Sequence, residues 1–370
     1  MEELDYSMEA LDQLTMMESE PPFEETYKEL FENYDSMKEV SKQHDMDFVA
    51  VEEAELPLID LQWLREGDGV DREECKREME VASKEWGFFQ VVNHGISGEI
   101  LEGMRREQVR VFREPFYRKE EKAVAAAGVD VMSLGSYRWG TPTATCLQQL
   151  SWSEAFHISL IEIPYFGGIT SFSSVTKRFA EEVSELAKRL ANILVERMGD
   201  ESTFLKQNCL PSTCYLRMNR YPPCPKYSHV FDLMPHTYSD FLMILCQDQV
   251  GGLQLVKDGK WISVKPNLEA LIVNIGDLFQ VWSNGVYKSV EHRVVANQKM
   301  ERGSLVSRPL HCDDSKSVDP DGAGDDEATM DGPRSAVADG VGGPGSMRPQ
   351  HYHFFQKEPY SQGYKSEIPD

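Results

Sequence analysis

The chain has 370 residues, 41% of them hydrophobic, which is enough for one large core or two modest domains with tails. A formal net charge of -24 and an isoelectric point near 4.8 set the molecule against nucleic acid and anionic membrane surfaces, since both would repel it as a whole. The opening MEELDYSMEALDQL carries acids where a signal or transit peptide carries bases, and no apolar run is long enough to cross a bilayer. The expected location is therefore the cytoplasm, with entry to the nucleus open.

Residues 1–54 read as an acidic extension with one amphipathic helix, in which Phe23, Tyr27, Leu30 and Phe31 recur at helical spacing. Residues 55–204 alternate helix and strand. ELPLIDL is a short apolar strand, and REECKREMEVASKEWGFFQVVNHGI is a helix running into a strand that ends at the turn Asn93-His94-Gly95. Long amphipathic helices are expected from Ile100 to Phe116 and from Phe172 to Met198, the second with Val175, Phe179, Val183, Leu186, Leu190 and Ile193 on one face. From residue 205 to 305 the chain breaks into short strands. Asp258-Gly259 and Asn284-Gly285 each stand between alternating runs, as hairpin turns do, and evenly spaced strands of this kind imply a sandwich or barrel. Residues 306–370 are an atypical tail, and the composition of VDPDGAGDDEATMDGPRSAVADGVGGPGS predicts disorder. The tail motif HYHFF, with His351 and His353, reads as solvated chain rather than a metal site.

The seven cysteines (Cys75, Cys146, Cys209, Cys214, Cys224, Cys246 and Cys312) are odd in number and never spaced Cys-x-x-Cys. They exclude a zinc knuckle and read as small core residues in a reducing compartment.

Chemistry concentrates in the strand-rich region. His236 in PHTYSD and His292 in SVEHRVV are separated by enough chain to cross a sheet and return. Taken alone, a strand histidine is more often a hydrogen-bonded structural residue than a ligand. Ten residues after His292, however, Arg302-Gly303-Ser304 places a guanidinium and a hydroxyl on one side of a strand, where they can clamp a carboxylate. Upstream, Tyr221 in RMNRYPPCP offers a phenol just before a proline-forced turn.

With these residues, LPLIDL, EWGFFQVVNHGI, NRYPPCP, QDQVGGLQL, KDGKW and ALIVNIGDLFQVWSN resemble the plant soluble branch of the 2-oxoglutarate- and iron-dependent dioxygenases. SYRWGTPTATCLQQLSWSEAFHISL is similar to gibberellin 2-oxidases of the type acting on C20 precursors. The resemblance implies an α+β protein with a double-stranded β-helix (jelly-roll) core flanked by helices. It implies Fe(II) held by His236 and His292, and 2-oxoglutarate held by Arg302 and Ser304 with help from Tyr221. Ascorbate is the reductant it implies, and a gibberellin-like diterpenoid acid the substrate, hydroxylated at the 2β position and so inactivated. Tyr137, Arg138, Trp152 and His157 are the residues implied to shape the substrate pocket.

Two features depart from the family pattern. The carboxylate that should follow His236 by two residues is Tyr238, a phenol that is neutral near pH 7 and reaches further than a carboxylate. Asp240 lies two residues further on, roughly 7 Å away along an extended backbone, too far to fill the vacancy. A site using halide in place of the carboxylate would need a small residue at this position. After Arg302 the chain reads GSLVSRPLHCDDSKSV, and the family's core strand and C-terminal helix are expected to be missing, leaving an open barrel edge. The alternative to an active enzyme is therefore a homologue impaired or without turnover.

Overall fold

The computed structural model describes residues 18–41, 51–124, 136–159, 171–199, 215–226 and 229–308. The low-complexity tail, His351, His353, Cys209, Cys214 and Cys312 lie outside them.

The expected N-terminal helix is two, α1 (Phe23–Thr26) and α2 (Lys28–Ser41), divided at Tyr27. Next come β1 (Glu53–Ala54), β2 (Leu58–Asp60) and the short α3 (Gln62–Glu66). Helix α4 (Gly69–Glu85) starts where the Asp68 carboxylate accepts from the amides of Val70 and Asp71, and leads into β3 (Phe88–Val92). Helix α5 (Gly98–Phe112) is capped by Ser97. It is followed by α6 (Phe116–Val124), β4 (Ser136–Trp139), β5 (Glu154–Ser159) and the long α7 (Ser171–Arg197).

The remainder is strand-rich, with β6 (Tyr215–Tyr221), β7 (Phe231–His236), β8 (Leu242–Gln247), β9 (Leu253–Lys257), β10 (Lys260–Val264) and β11 (Leu271–Ile275). Helix α8 (Asp277–Trp282), β12 (His292–Val295) and β13 (Arg302–Arg308) complete it.

The strands form an eight-stranded sheet, β2-β3-β11-β8-β13-β6-β5-β4, and a five-stranded sheet, β1-β10-β9-β12-β7. Alternation along each strand separates two cores. The outer face of the large sheet, including Phe89, Val273, Ile244, Leu305, Met218 and Phe156, packs on helices through Met79, Met104, Phe112, Val183 and Leu190. Between the sheets lie Phe88, Leu245, Leu253, Leu255, Val264 and Ile272. This is the jelly-roll core flanked by helices.

Of the two hairpin signals, Asp258-Gly259 joins β9 to β10 with positive φ at both residues, as a two-residue turn requires. Asn284-Gly285 is not a hairpin. FQVW is the end of α8, and the Gly285 amide donates to the Gln280 carbonyl, so the pair terminates a helix. The buried Phe279, stacked on Phe241 with centroids 4.0 Å apart, anchors that helix against the large sheet.

The last strand is also retained. β13 runs to Arg308 and lies inside the large sheet, paired with β6 along its whole length and with β8. Leu305 supplies the outward core residue and Ser304 and Val306 the inward ones, so GSLVSR satisfies the alternation and neither β6 nor β8 is left open there.

Candidate active site

A cavity of about 60 Å³ lies between the sheets, and Tyr221, His236, Tyr238, His292, Arg302 and Ser304 all line it. His236 at the end of β7 and His292 at the start of β12 are direct cross-strand partners, with ring centroids 4.3 Å apart. The β7–β12 register slips just after this pair. His236 Nδ1 lies 2.7 Å from the Met234 carbonyl and His292 Nδ1 lies 3.0 Å from the Val290 carbonyl. A carbonyl oxygen can only accept, so each Nδ1 carries the proton and each Nε2 carries the lone pair, the tautomer a metal needs. Burial lowers the pKa of His292, which favours the uncharged ring.

The two imidazoles therefore suit a divalent metal. The third position does not supply the carboxylate that would complete a facial triad. Tyr238 lies beyond the end of β7, its ring 3% exposed, and its carbonyl accepts from the Asp277 amide. Asp240 is buried but does not line the cavity. Among the described residues no three His, Cys, Asp or Glu side chains gather closely enough to hold a metal.

At the other end of the cavity, Arg302 and Tyr221 are direct partners on β13 and β6, and the guanidinium carbon stands 5.0 Å from the phenol ring centroid. Ser304 Oγ accepts from Asn219 Nδ2 at 3.1 Å and lies 3.4 Å from the Tyr221 hydroxyl. Arg217 Nε donates to Asn219 Oδ1 at 2.6 Å. Asn219 and Arg217 are additions to the set found by sequence. Their signal was present in YLRMNRY, where they stand two and four residues before Tyr221 and so share its face.

Strand register sorts the four residues suggested for a substrate pocket. Arg138, Ala155, Asn219, Ser304 and Gln247 form one row across five strands, and His157 pairs with Arg217 in the next row on that face. Arg138 and His157 thus stand on the cavity side of the sheet. Tyr137 occupies the opposite face, paired with Phe156, and its hydroxyl donates to Glu154 Oε2 at 2.5 Å. Burial, with the Glu154 carboxylate beside it, pushes that phenol's pKa up. Trp152 is stacked on Phe23 at 4.4 Å in a separate cluster with Tyr27 and Leu150. None of the four lines the cavity itself: Arg138 and His157 share its side of the sheet, with Arg138 exposed, and Tyr137 and Trp152 stand elsewhere.

Of the cysteines, Cys75, Cys224 and Cys246 are buried, Cys146 is exposed, and none of these four is in a disulfide. Burial pushes the Cys75 thiol up to about 11, which makes it a poor nucleophile. No helix among the described residues is long and apolar enough to cross a membrane.

Residues 212–309 match the 2OG-Fe(II) oxygenase superfamily, and residues 56–163 match the non-haem dioxygenase in morphine synthesis N-terminal family. Gibberellin 2-beta-dioxygenase 8 of Arabidopsis thaliana is 56% identical over 290 residues, covering 77% of this chain and 83% of that protein. Gibberellin 2-beta-dioxygenase 6 of Oryza sativa subsp. japonica is 49% identical over 267 residues, covering 69% and 72%. Among solved structures, JOX2 in complex with 2OG, Fe and JA aligns with a TM-score of 0.58 at 30% identity, covering 70% of this chain and 76% of that one. The Arabidopsis thaliana dioxygenase for auxin oxidation 1, solved with 2-oxoglutarate, aligns with a TM-score of 0.58 at 27% identity, covering 70% and 94%. The chain belongs to the gibberellin 2-beta-dioxygenase family of the 2OG-Fe(II) oxygenase superfamily.

Proposed function

We propose that this protein hydroxylates a gibberellin-like diterpenoid acid at its 2β position, with 2-oxoglutarate, O2 and Fe(II) as co-reactants and ascorbate as reductant, in the reducing environment of the cytoplasm. The observation that carries the reading is the gathering of His236, His292, Arg302, Ser304 and Tyr221 around one cavity between the two sheets. His236 and His292 would hold the iron, which when bound supplies the activation of O2. Arg302 would take the distal carboxylate of 2-oxoglutarate in charge-assisted hydrogen bonds, with Ser304 and Tyr221 beside it. Arg138 and His157, on the cavity side of β4 and β5, would meet the carboxylate of the substrate.

Tyr238 changes the balance of the site rather than its plan. With no carboxylate among the described residues beside the two imidazoles, His236 and His292 would hold the metal with less help from the protein, and its retention would depend more on the bound 2-oxo acid. The relatives lend no support to the alternative of a homologue without turnover. The test is a single incubation of the purified protein with Fe(II), 2-oxoglutarate, ascorbate and a C20 gibberellin, read by mass spectrometry for a product one oxygen heavier and for succinate. Hydroxylated product that disappears in the His236→Ala protein is expected. Absence of product, or product that survives that substitution, would reject the assignment.

A further inference from the structure

A second cavity, of about 220 Å³, lies on the other face of the large sheet, between α5 and the strands β6, β8 and β13. It stands back to back with the cavity between the sheets: Gly303 and Leu305 face the second cavity, and Ser304 between them faces the first. Phe112, Cys246 and Leu305 give it a buried apolar floor. Val109 is 44% exposed and the Arg105 side chain 31%, so it opens to solvent along α5. An apolar cavity of about 150 Å³ takes up benzene, so this one has room for a ring bearing a small polar group.

Among the described residues, five charged ones line it, and four have their charge answered elsewhere. Arg220 Nη1 donates to Glu154 at 2.6 Å and Nε to Glu301 at 2.8 Å, which accounts for Glu301 as well. The Asp248 carboxylate accepts from the Gly303 amide at 2.5 Å and from the Val250 amide at 3.0 Å. Arg302 alternates with Gly303, and its guanidinium lies over the Tyr221 ring on the side of the first cavity. Arg105 is the fifth. Its Nη1 stands 4.0 Å from Glu102, beyond hydrogen-bond reach, and its Nη2 lies 3.6 Å from Cys246 Sγ, a weak acceptor. Burial raises the Cys246 pKa despite Arg105 beside it, which favours the uncharged thiol, so the sulfur does not supply the missing anion.

We propose that this cavity is a second ligand site, taking a small apolar monocarboxylic acid whose carboxylate meets the Arg105 guanidinium and whose body lies on Val109, Phe112 and Leu305. A guanidinium holds a carboxylate through two parallel charge-assisted bonds, which a neutral analogue forfeits. Asp248 and Glu301, also in the wall, repel a second acid group on the ligand, which sets the site apart from one for dicarboxylates such as 2-oxoglutarate.

The test is an NMR titration of benzoate, and of benzamide as its neutral counterpart of the same shape, against the full-length protein. Benzoate should bind with a Kd of about 1 mM or tighter, and benzamide at least about tenfold more weakly, the weight of a charge-assisted hydrogen bond. Arg105→Gln should bring the two ligands to within about twofold of each other, and Val109→Trp, which fills the cavity from the solvent side, should weaken both at least about tenfold. Both variants should keep the parent's urea midpoint, since Arg105 and Val109 are partly exposed. Absence of benzoate binding, equal affinity for benzoate and benzamide in the parent, or affinities unchanged by Arg105→Gln or by Val109→Trp overturns the site. The comparison of benzoate with benzamide in the parent needs no substitution, so it decides even where a variant fails to fold.

Discussion

Replacing Tyr238 by aspartate separates a metal centre with one altered ligand from a pair of structural histidines, because the structure predicts two effects of opposite sign. The Tyr238 ring is 3% exposed and lines the cavity. Removing a buried aromatic side chain costs about 3–5 kcal/mol in comparable aromatic-to-alanine changes, and the new carboxylate would sit in a cavity with little water, so the metal-free variant should unfold at lower urea. With metal the sign reverses. The His236 and His292 rings, with Nδ1 tied to carbonyls, would gain an anionic neighbour where the parent has a neutral phenol. Disturbing groups that merely orient metal ligands costs roughly 10- to 100-fold in affinity, so restoring a ligand should gain at least about that, or about 1.4–2.7 kcal/mol. The assay is Mn(II) titration of the two proteins without oxygen, followed by urea unfolding with and without Mn(II). At a hundredfold excess over Kd, metal should add about 2.7 kcal/mol to the variant's stability, and less to the parent at the same concentration. If Tyr238→Asp binds Mn(II) no tighter than the parent, the two histidines do not form part of a metal centre and the reasoning fails.

Arg302→Ala should abolish 2-oxoglutarate binding while Ser304→Ala only reduces it, because a guanidinium makes two charge-assisted bonds where the hydroxyl makes one; equal losses in a calorimetric titration would show the clamp misassigned. Glu154→Gln should cost about 3–5 kcal/mol in urea unfolding, since it takes the carboxylate from Lys119, which is 1% exposed and otherwise bonded only to the Ser19 and Phe112 carbonyls. A loss under about 1 kcal/mol, the level of a surface pair, would mean that Lys119 is already neutral. Asp232 gives a pH signature. Its folded pKa is raised well above the ordinary 3.8, so the folded chain holds more protons than the unfolded one above that pH. Stability should then be full at low pH and decline as pH rises from about 4 toward the folded value, and Asp232→Asn should flatten that slope; parallel slopes would contradict it.

The sequence shows the His236–His292 and Arg302–Ser304 ends of the cavity more clearly than the wall between them. His236, His292, Arg302 and Ser304 stand in short patterns whose residue types suggest chemistry on their own. Arg217 and Asn219 do not, because an arginine and an asparagine in a strand have many uses, and only pairing with β13 puts Asn219 against Ser304. Choosing among Tyr137, Arg138, Trp152 and His157 required knowing which sheet face is the cavity. Alternation shows that Tyr137 and Arg138 point opposite ways. It cannot say which is inward when both faces are covered, and β8 (LMILCQ) is buried at every position. The same ambiguity hid β13, since GSLVSR lacks the long apolar run of a core strand and earns its place through two neighbours rather than through composition. Asn284-Gly285 is ambiguous in sequence because Asn-Gly serves a helix end as readily as a hairpin, both needing positive φ.

The outer face of the large sheet explains how the cavity between the sheets keeps its shape. Arg220 lies between Asn219 and Tyr221 in β6 but points outward, where Nη1 donates to Glu154 at 2.6 Å and Nε to Glu301 at 2.8 Å. Glu301 immediately precedes Arg302, and Glu154 also accepts from Lys119 and Tyr137. Burial works against the Arg220 charge, but Glu154 and Glu301 outweigh it, and the net pKa is raised. This ion cluster therefore ties β5, β6, the start of β13 and α6 together directly behind the pair Tyr221 and Arg302. Gln108 of α5 adds bonds to the Asn219 and Ser304 carbonyls from the same side, at 2.8 and 3.0 Å. Charged side chains near a binding site are commonly assigned to the ligand, yet here Tyr137, Lys119, Glu154 and Arg220 act on it through the backbone, holding two strands in the register that sets Arg302 against Tyr221. A substitution in this cluster should consequently lower stability and 2-oxoglutarate affinity together, whereas one at Arg302 should lower the affinity alone.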